Sequence, residues 1–149
     1  MTTNEQTAEF RNVGLFRRLF AIFYDCFLLT AILFLTTGFS IVLNGGKAVE
    51  QGHALYPVLV FSLAAMIYLY FTWFWVNGGQ TLGMKTWKIR LVTLDGSRFS
   101  WRSASIRVVI SIVSWCCFGL GFLWSLFDRR RRCWHDIASK SALLDLRQA

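Results

Sequence analysis

The feature that most constrains this chain is a carboxylate inside its first long apolar run. Arg17 and Arg18 precede residues 19–43, and Asp25 stands seven residues past Arg18 within that run. Twenty-five helical residues rise about 37 Å, more than the roughly 30 Å hydrocarbon core of a bilayer. An aspartate at the centre of such a helix costs about 2.5 to 3.5 kcal/mol on insertion scales, so the position calls for a partner or a use. One reading is a structural ion pair that fixes helix packing. The other is a site for protons or monovalent cations.

The same chemistry continues along the chain. Pro57 suits the first turn of a helix, and residues 57–76 carry no charge, which predicts a second span. Tyr68, Tyr70, Trp73 and Trp75 gather toward its far end, as an aromatic belt at headgroup level would. With 55% hydrophobic and 17% aromatic residues, the chain is too apolar for an ordinary soluble domain of 149 residues. Its net charge of +8 comes from basic residues that flank apolar runs, which points to anionic lipid headgroups and away from nucleic acid. Cys26, Cys116, Cys117 and Cys133 lack the spacing of a metal or disulfide framework, so neither a metal nor a cofactor is expected. Residues 1–13 read as a disordered polar leader, the first run as an uncleaved span, and 147–149 as a tail. The domain between them, 14–146, is single.

Between the second span and the next apolar run lies a polar stretch. Gly78-Gly79-Gln80-Thr81-Leu82-Gly83-Met84-Lys85 opens it with turn-forming residues. Residues 88–94 then alternate toward Asp95-Gly96, predicting a β-hairpin over about 87–101. Lys85, Lys88, Arg90, Arg98, Arg102 and Arg107 face only Asp95 here, so the positive-inside rule puts this stretch, and with it the N-terminus, in the cytoplasm.

The third apolar segment, about 106–127, could span once, but it would then carry Arg129 to Arg132 outside, against that rule. Gly119-Leu120-Gly121 divides it into two short helices of roughly 10 residues each, which favours a re-entrant hairpin; a third full span is the alternative. Ala142 to Leu146 reads as a short strand, for which Ile89 to Leu94 is the available partner. The expected fold class is a membrane all-α protein with a small cytoplasmic β element.

Three blocks together resemble the RDD family of bacterial membrane proteins, named for one arginine and two aspartates. They are Arg17-Arg18-Leu19 to Asp25, the Gly-Gly-Gln-Thr-Leu-Gly-Met-Lys loop at 78–85, and Gly119-Leu120-Gly121 through Trp134-His135-Asp136. The resemblance implies a charge cluster of Arg18, Asp25 and a second aspartate, with Asp136 the first choice and Asp128 the next, and a loop motif at Gly79, Gln80, Thr81, Gly83 and Lys85. The chain departs from the family pattern at Cys116-Cys117-Phe118, where a proline is common, and at Lys140-Ser141, where Gly-Thr is usual.

For function, the resemblance implies a multi-pass protein of the cell inner membrane. Transport, including sodium/proton exchange, has been proposed for some members and modulation of a membrane protease for others. No nucleophile and base pair, metal-ligand set or phosphate loop emerges, so an enzyme is not expected. Two classes remain. One is cation/proton transport through the Arg/Asp cluster, with a homo-oligomer enclosing the pathway. The other is a non-catalytic adaptor or modulator of another membrane protein.

Overall fold

The structure, a computed structural model, describes residues 13–129 and 131–147; the expected leader lies almost wholly outside the described residues. Two long helices, α1 (Leu15–Leu43) and α2 (Tyr56–Gly78), are each long and apolar enough to cross a membrane. At 1.5 Å per residue they measure about 43 and 34 Å, so both exceed the bilayer core and leave ends for the headgroup region. Pro57 sits in the first turn of α2, and Gly79, with a left-handed backbone, closes the helix.

After α2 the chain makes a short helix, α3 (Leu82–Thr86), then strand β1 (Ile89–Thr93), helix α4 (Trp101–Cys116), a short α5 (Leu120–Leu123) running into a 3-10 turn to Leu126, helix α6 (Trp134–Ala138) and strand β2 (Ser141–Asp145). The two strands pair antiparallel with Leu91 opposite Leu143, so the expected pairing of the chain end with residues 89–94 forms.

The hairpin expected over 87–101 does not form. Asp95 and Gly96 do turn the chain, with the Asp95 carboxylate bonded to Ser97, but residues 97–100 are not a strand. Local alternation marked β1 correctly, yet its partner comes from β2, and Ser100 instead caps α4 by accepting the Ser103 amide. Helix α4 therefore starts five residues before the apolar segment does. Its division is also unequal: sixteen residues in α4, a 107° bend, and only Leu120–Leu126 beyond. Phe118 and Gly119 are both left-handed at the bend, a conformation that glycine adopts freely and that here breaks the helix without a proline. The segment leaves and returns to the same end of the long helices, since Ala104 near its start joins the core beside β1 and α6 after its end packs on α4.

That end is where the molecule is dense. Ala21 of α1, Trp75 of α2, Met84, Ile89, Leu91, Phe99, Ala104 and Leu143 form one core, while the rest of α1 and α2 exposes Phe, Leu and Val side chains suited to lipid. Arg17 clamps α1 to it, donating to the Asp145 carboxylate at the end of β2 and to the Trp87 carbonyl. Deleting residues 142–149 removes Leu143 and the Arg17–Asp145 pair together. The melting temperature of the detergent-solubilised protein should fall by more than about 4 °C, and an unchanged melting curve would show β2 to be dispensable.

Candidate functional site

The inner face of α1 carries Arg18, Ala21 and Asp25 at helical spacing, all buried. Arg18 turns toward α6. Its guanidinium meets Asp136 at 2.5 Å and also donates to the carbonyls of Val13 and Arg131 and to Cys133 Sγ. Asp136 is fully buried at the third residue of α6, where its carboxylate also accepts the Cys133 amide and so caps the helix. From α4, Arg107 reaches the other carboxylate oxygen at 2.6 Å as an ion-pair contact, donates to Ser141 Oγ at 2.9 Å, and lies 5.1 Å over the Trp75 ring. One carboxylate thus joins α1, α4 and α6, and through Ser141 reaches β2.

Burial alone would raise the Asp136 pKa, but Arg107, His135, Arg18 and the Cys133 amide outweigh it and hold the carboxyl well below the usual carboxylate range. His135, with Nε2 3.5 Å from Asp136, is pushed the other way: burial and then Arg107 lower it to about 3, so it is a neutral imidazole at physiological pH. Burial and the neighbouring Asp136 push the Cys133 thiol up, which keeps its proton. Cys133, His135 and Asp136 lie close enough together to suggest a metal, but two guanidiniums already engage the carboxylate and would repel a cation.

Asp25 is built differently. It is 2% exposed, and its carboxylate accepts from Tyr70 Oη at 2.7 Å, from Thr81 Oγ1 and from the Gly83 amide at 2.8 Å. Every one of these donors is neutral. The loop motif makes this cradle. Gly79 accepts the Leu91 amide and Gln80 donates to the Ile89 carbonyl, which docks the loop on the free edge of β1; Thr81 then caps α3 while bonding Asp25. At Gly83 a Cβ would lie 2.1 Å from the Ala21 carbonyl and 2.9 Å from the Asp25 carboxyl carbon, so no other residue lets α3 come this near α1. Lys85 is exposed and forms no part of the cradle.

Of the cluster of Arg18, Asp25 and a second aspartate that the resemblance implies, the structure brings together Arg18 and Asp136, across 118 positions of sequence, and leaves Asp25 out, because a seven-residue offset sets it about 10.5 Å further along the helix. Asp128 is apart from both groups, paired with Arg132 at the half-buried surface. Three residues have roles that their sequence pattern does not show. Tyr70 and Trp75, placed in the aromatic belt, are buried against Asp25 and Arg107, while Tyr68 and Trp73 of that belt are exposed. Arg107, counted only as a topogenic charge, is 4% exposed; its signal was the stripe Ala104, Arg107, Ser111, Ser114, small and polar at helical spacing.

Between the two carboxylate groups lies a cavity of about 270 Å³, walled by Arg18, Asp25, Arg107 and His135 and by apolar side chains including Trp75, Trp115 and Phe122. The sequence model of the RDD family matches residues 13–140. This chain belongs to the RDD family. No curated protein and no solved structure matches it. With two helices of spanning length and apolarity, this RDD protein is an integral membrane protein.

The separation of the two groups has an energetic signature. Arg18→Gln and Asp136→Asn should couple by more than about 1 kcal/mol in a double-mutant cycle, the second change recovering part of the first one's loss, whereas Arg18→Gln and Asp25→Asn should add within about 0.5 kcal/mol. Unfolding in mixed micelles measures both cycles. Strong coupling of Arg18 to Asp25 would contradict the arrangement.

Proposed function

We propose that this protein sits in a bacterial inner membrane and exchanges monovalent cations with protons, with Asp25 as the exchanging carboxylate and the Arg18–Asp136–Arg107 cluster as its frame. The observation that carries this reading is the contrast between the two buried carboxylates. Asp136 is held as an anion by two arginines and cannot change state near neutral pH. Asp25 faces the cavity with hydroxyl and amide donors only. The Tyr70 and Thr81 hydroxyls can rotate to accept as well as donate, so the same cradle suits a protonated carboxyl or a carboxylate beside a cation. Two long helices do not enclose a pathway by themselves, and a homo-oligomer would supply the missing walls.

The orientation that fits this reading puts the dense end in the cytoplasm. Among the described residues, every Lys and Arg but Lys47, which lies in the α1–α2 loop, belongs to segments at that end. The broken α4–α5 pair then enters from the cytoplasm and returns to it. Reporter fusions at Gly46 and after Ala149 should report outside and inside respectively; an outside signal from the second would restore a third full span.

An adaptor role is the second reading, favoured by the bend and the chain after α5, where Phe118 is 96% and Phe127 83% exposed and could seat against another membrane protein. Flux decides between them. In proteoliposomes with imposed sodium, potassium and proton gradients, the wild type should exchange cations, and Asp25→Asn should fall to the level of empty vesicles because an amide cannot cycle protons. Full flux in Asp25→Asn removes Asp25 from the mechanism. No flux in the wild type favours the adaptor.

A further inference from the structure

The cavity is larger and more apolar than a bare cation needs. Its 270 Å³ is close to the lower end of small-molecule sites, about 300 to 1,000 Å³, and most of its wall is contributed by Ile, Phe, Trp, Met, Val and Leu side chains. The charge beside it is unevenly shared. Arg18 and Arg107 share the single carboxylate of Asp136, and His135 is neutral, so this cluster carries one positive charge in excess. Arg18 is satisfied by two backbone carbonyls and a sulfur besides Asp136. Arg107 is less so. It has Asp136, Ser141 Oγ and the Trp75 ring, and its Nε has no hydrogen-bond partner among the described residues. Trp75 Nε1, a donor from another residue of the same wall, is likewise buried without a partner among the described residues. Asp25, the remaining ionisable group on the wall, is already occupied by Tyr70, Thr81 and Gly83.

We propose that this cavity binds an amphipathic monoanion, its oxyanion head on Arg107 with Trp75 beside it, and its apolar body against Ile112, Trp115 and Phe122. An oxyanion gives Arg107, whose Nε lacks a partner, a charge-assisted hydrogen bond, which a cation cannot do and an uncharged amphiphile does only weakly. The shared chemistry, one oxyanion on an apolar body, is found in free aliphatic acids and in the phosphodiester of an anionic phospholipid. This inference uses the cavity of the transport reading but does not depend on exchange at Asp25.

The test is calorimetric titration of the full-length protein, in an uncharged detergent, with decanoate, decanol and decyltrimethylammonium. Decanoate should bind saturably and about tenfold or more tighter than decanol, with the cation weakest. Arg107→Gln should bring decanoate down to the decanol level. Ser111→Trp leaves every charge in place and fills the cavity from α4, so it should abolish binding even if Arg107→Gln fails to fold. Asp25→Asn should tighten decanoate binding by removing the wall's one carboxylate that has no arginine partner, although the same variant stops flux under the transport reading. Competition from nanodiscs containing phosphatidylglycerol, against phosphatidylcholine alone, identifies a lipid headgroup as the source; its absence identifies a free acid. Equal binding of decanoate and decanol, tighter binding of the cation, undiminished binding in Ser111→Trp, or binding of neither decanoate nor phosphatidylglycerol overturns the proposal.

Discussion

The Asp136 carboxylate between Arg18 and Arg107 is the contact on which the rest of the architecture depends. A buried carboxylate is tolerable only where its charge is compensated, and here two guanidiniums and a backbone amide lie against it. Each arginine comes from a different helix, so the ion pairs close only when α1, α4 and α6 are mutually placed. Removing the carboxylate would leave two like charges facing each other in a poorly solvated interior. The geometry is therefore specified by the cost of every alternative, more than by the strength of the native pairs.

Lipid explains why polar contacts carry this responsibility. Between apolar helices in a bilayer there is no hydrophobic gain from association, because lipid tails are as apolar as leucine side chains. The exposed Phe34, Leu35, Phe39 and Val58 of α1 and α2 are at no disadvantage there. Specific structure is concentrated where water begins. At that end α1 serves as the hub, with Arg17 on β2, Arg18 on α6, Ala21 under Gly83 and Asp25 in the loop cradle, four contacts delivered by less than three turns of helix.

The two buried carboxylates show how environment assigns different chemistry to the same group. Asp136 has charged partners and a fixed state; Asp25 has neutral, partly rotatable partners and a cavity at its side. Neither property belongs to the aspartate itself. Both follow from which elements the fold brings up, α4 and α1 for the first and α2 with the glycine loop for the second.

Much was legible in the residues alone. Both spans, the break at Gly119, the pairing of residues 89–93 with 141–145 and the peculiarity of Asp25 come from hydropathy, charge and turn chemistry, which are local quantities that a sequence carries openly. The absent hairpin shows the limit: β1 has the alternation of a strand, but alternation does not name a partner, and Ser97 to Ser100 lead into a helix cap. Asp136 entered a cluster with Arg18 only through the family resemblance; no local pattern pairs the two, because Asp136 is 118 positions away and only the return of the chain after α5 brings it near. Arg107 and Tyr70 looked like a topology charge and a belt aromatic, since residue type is the same in both roles. Composition determined that this chain enters a membrane and where charge must be compensated; the tertiary structure decided which charges compensate one another, because that choice depends on distances that no local pattern encodes.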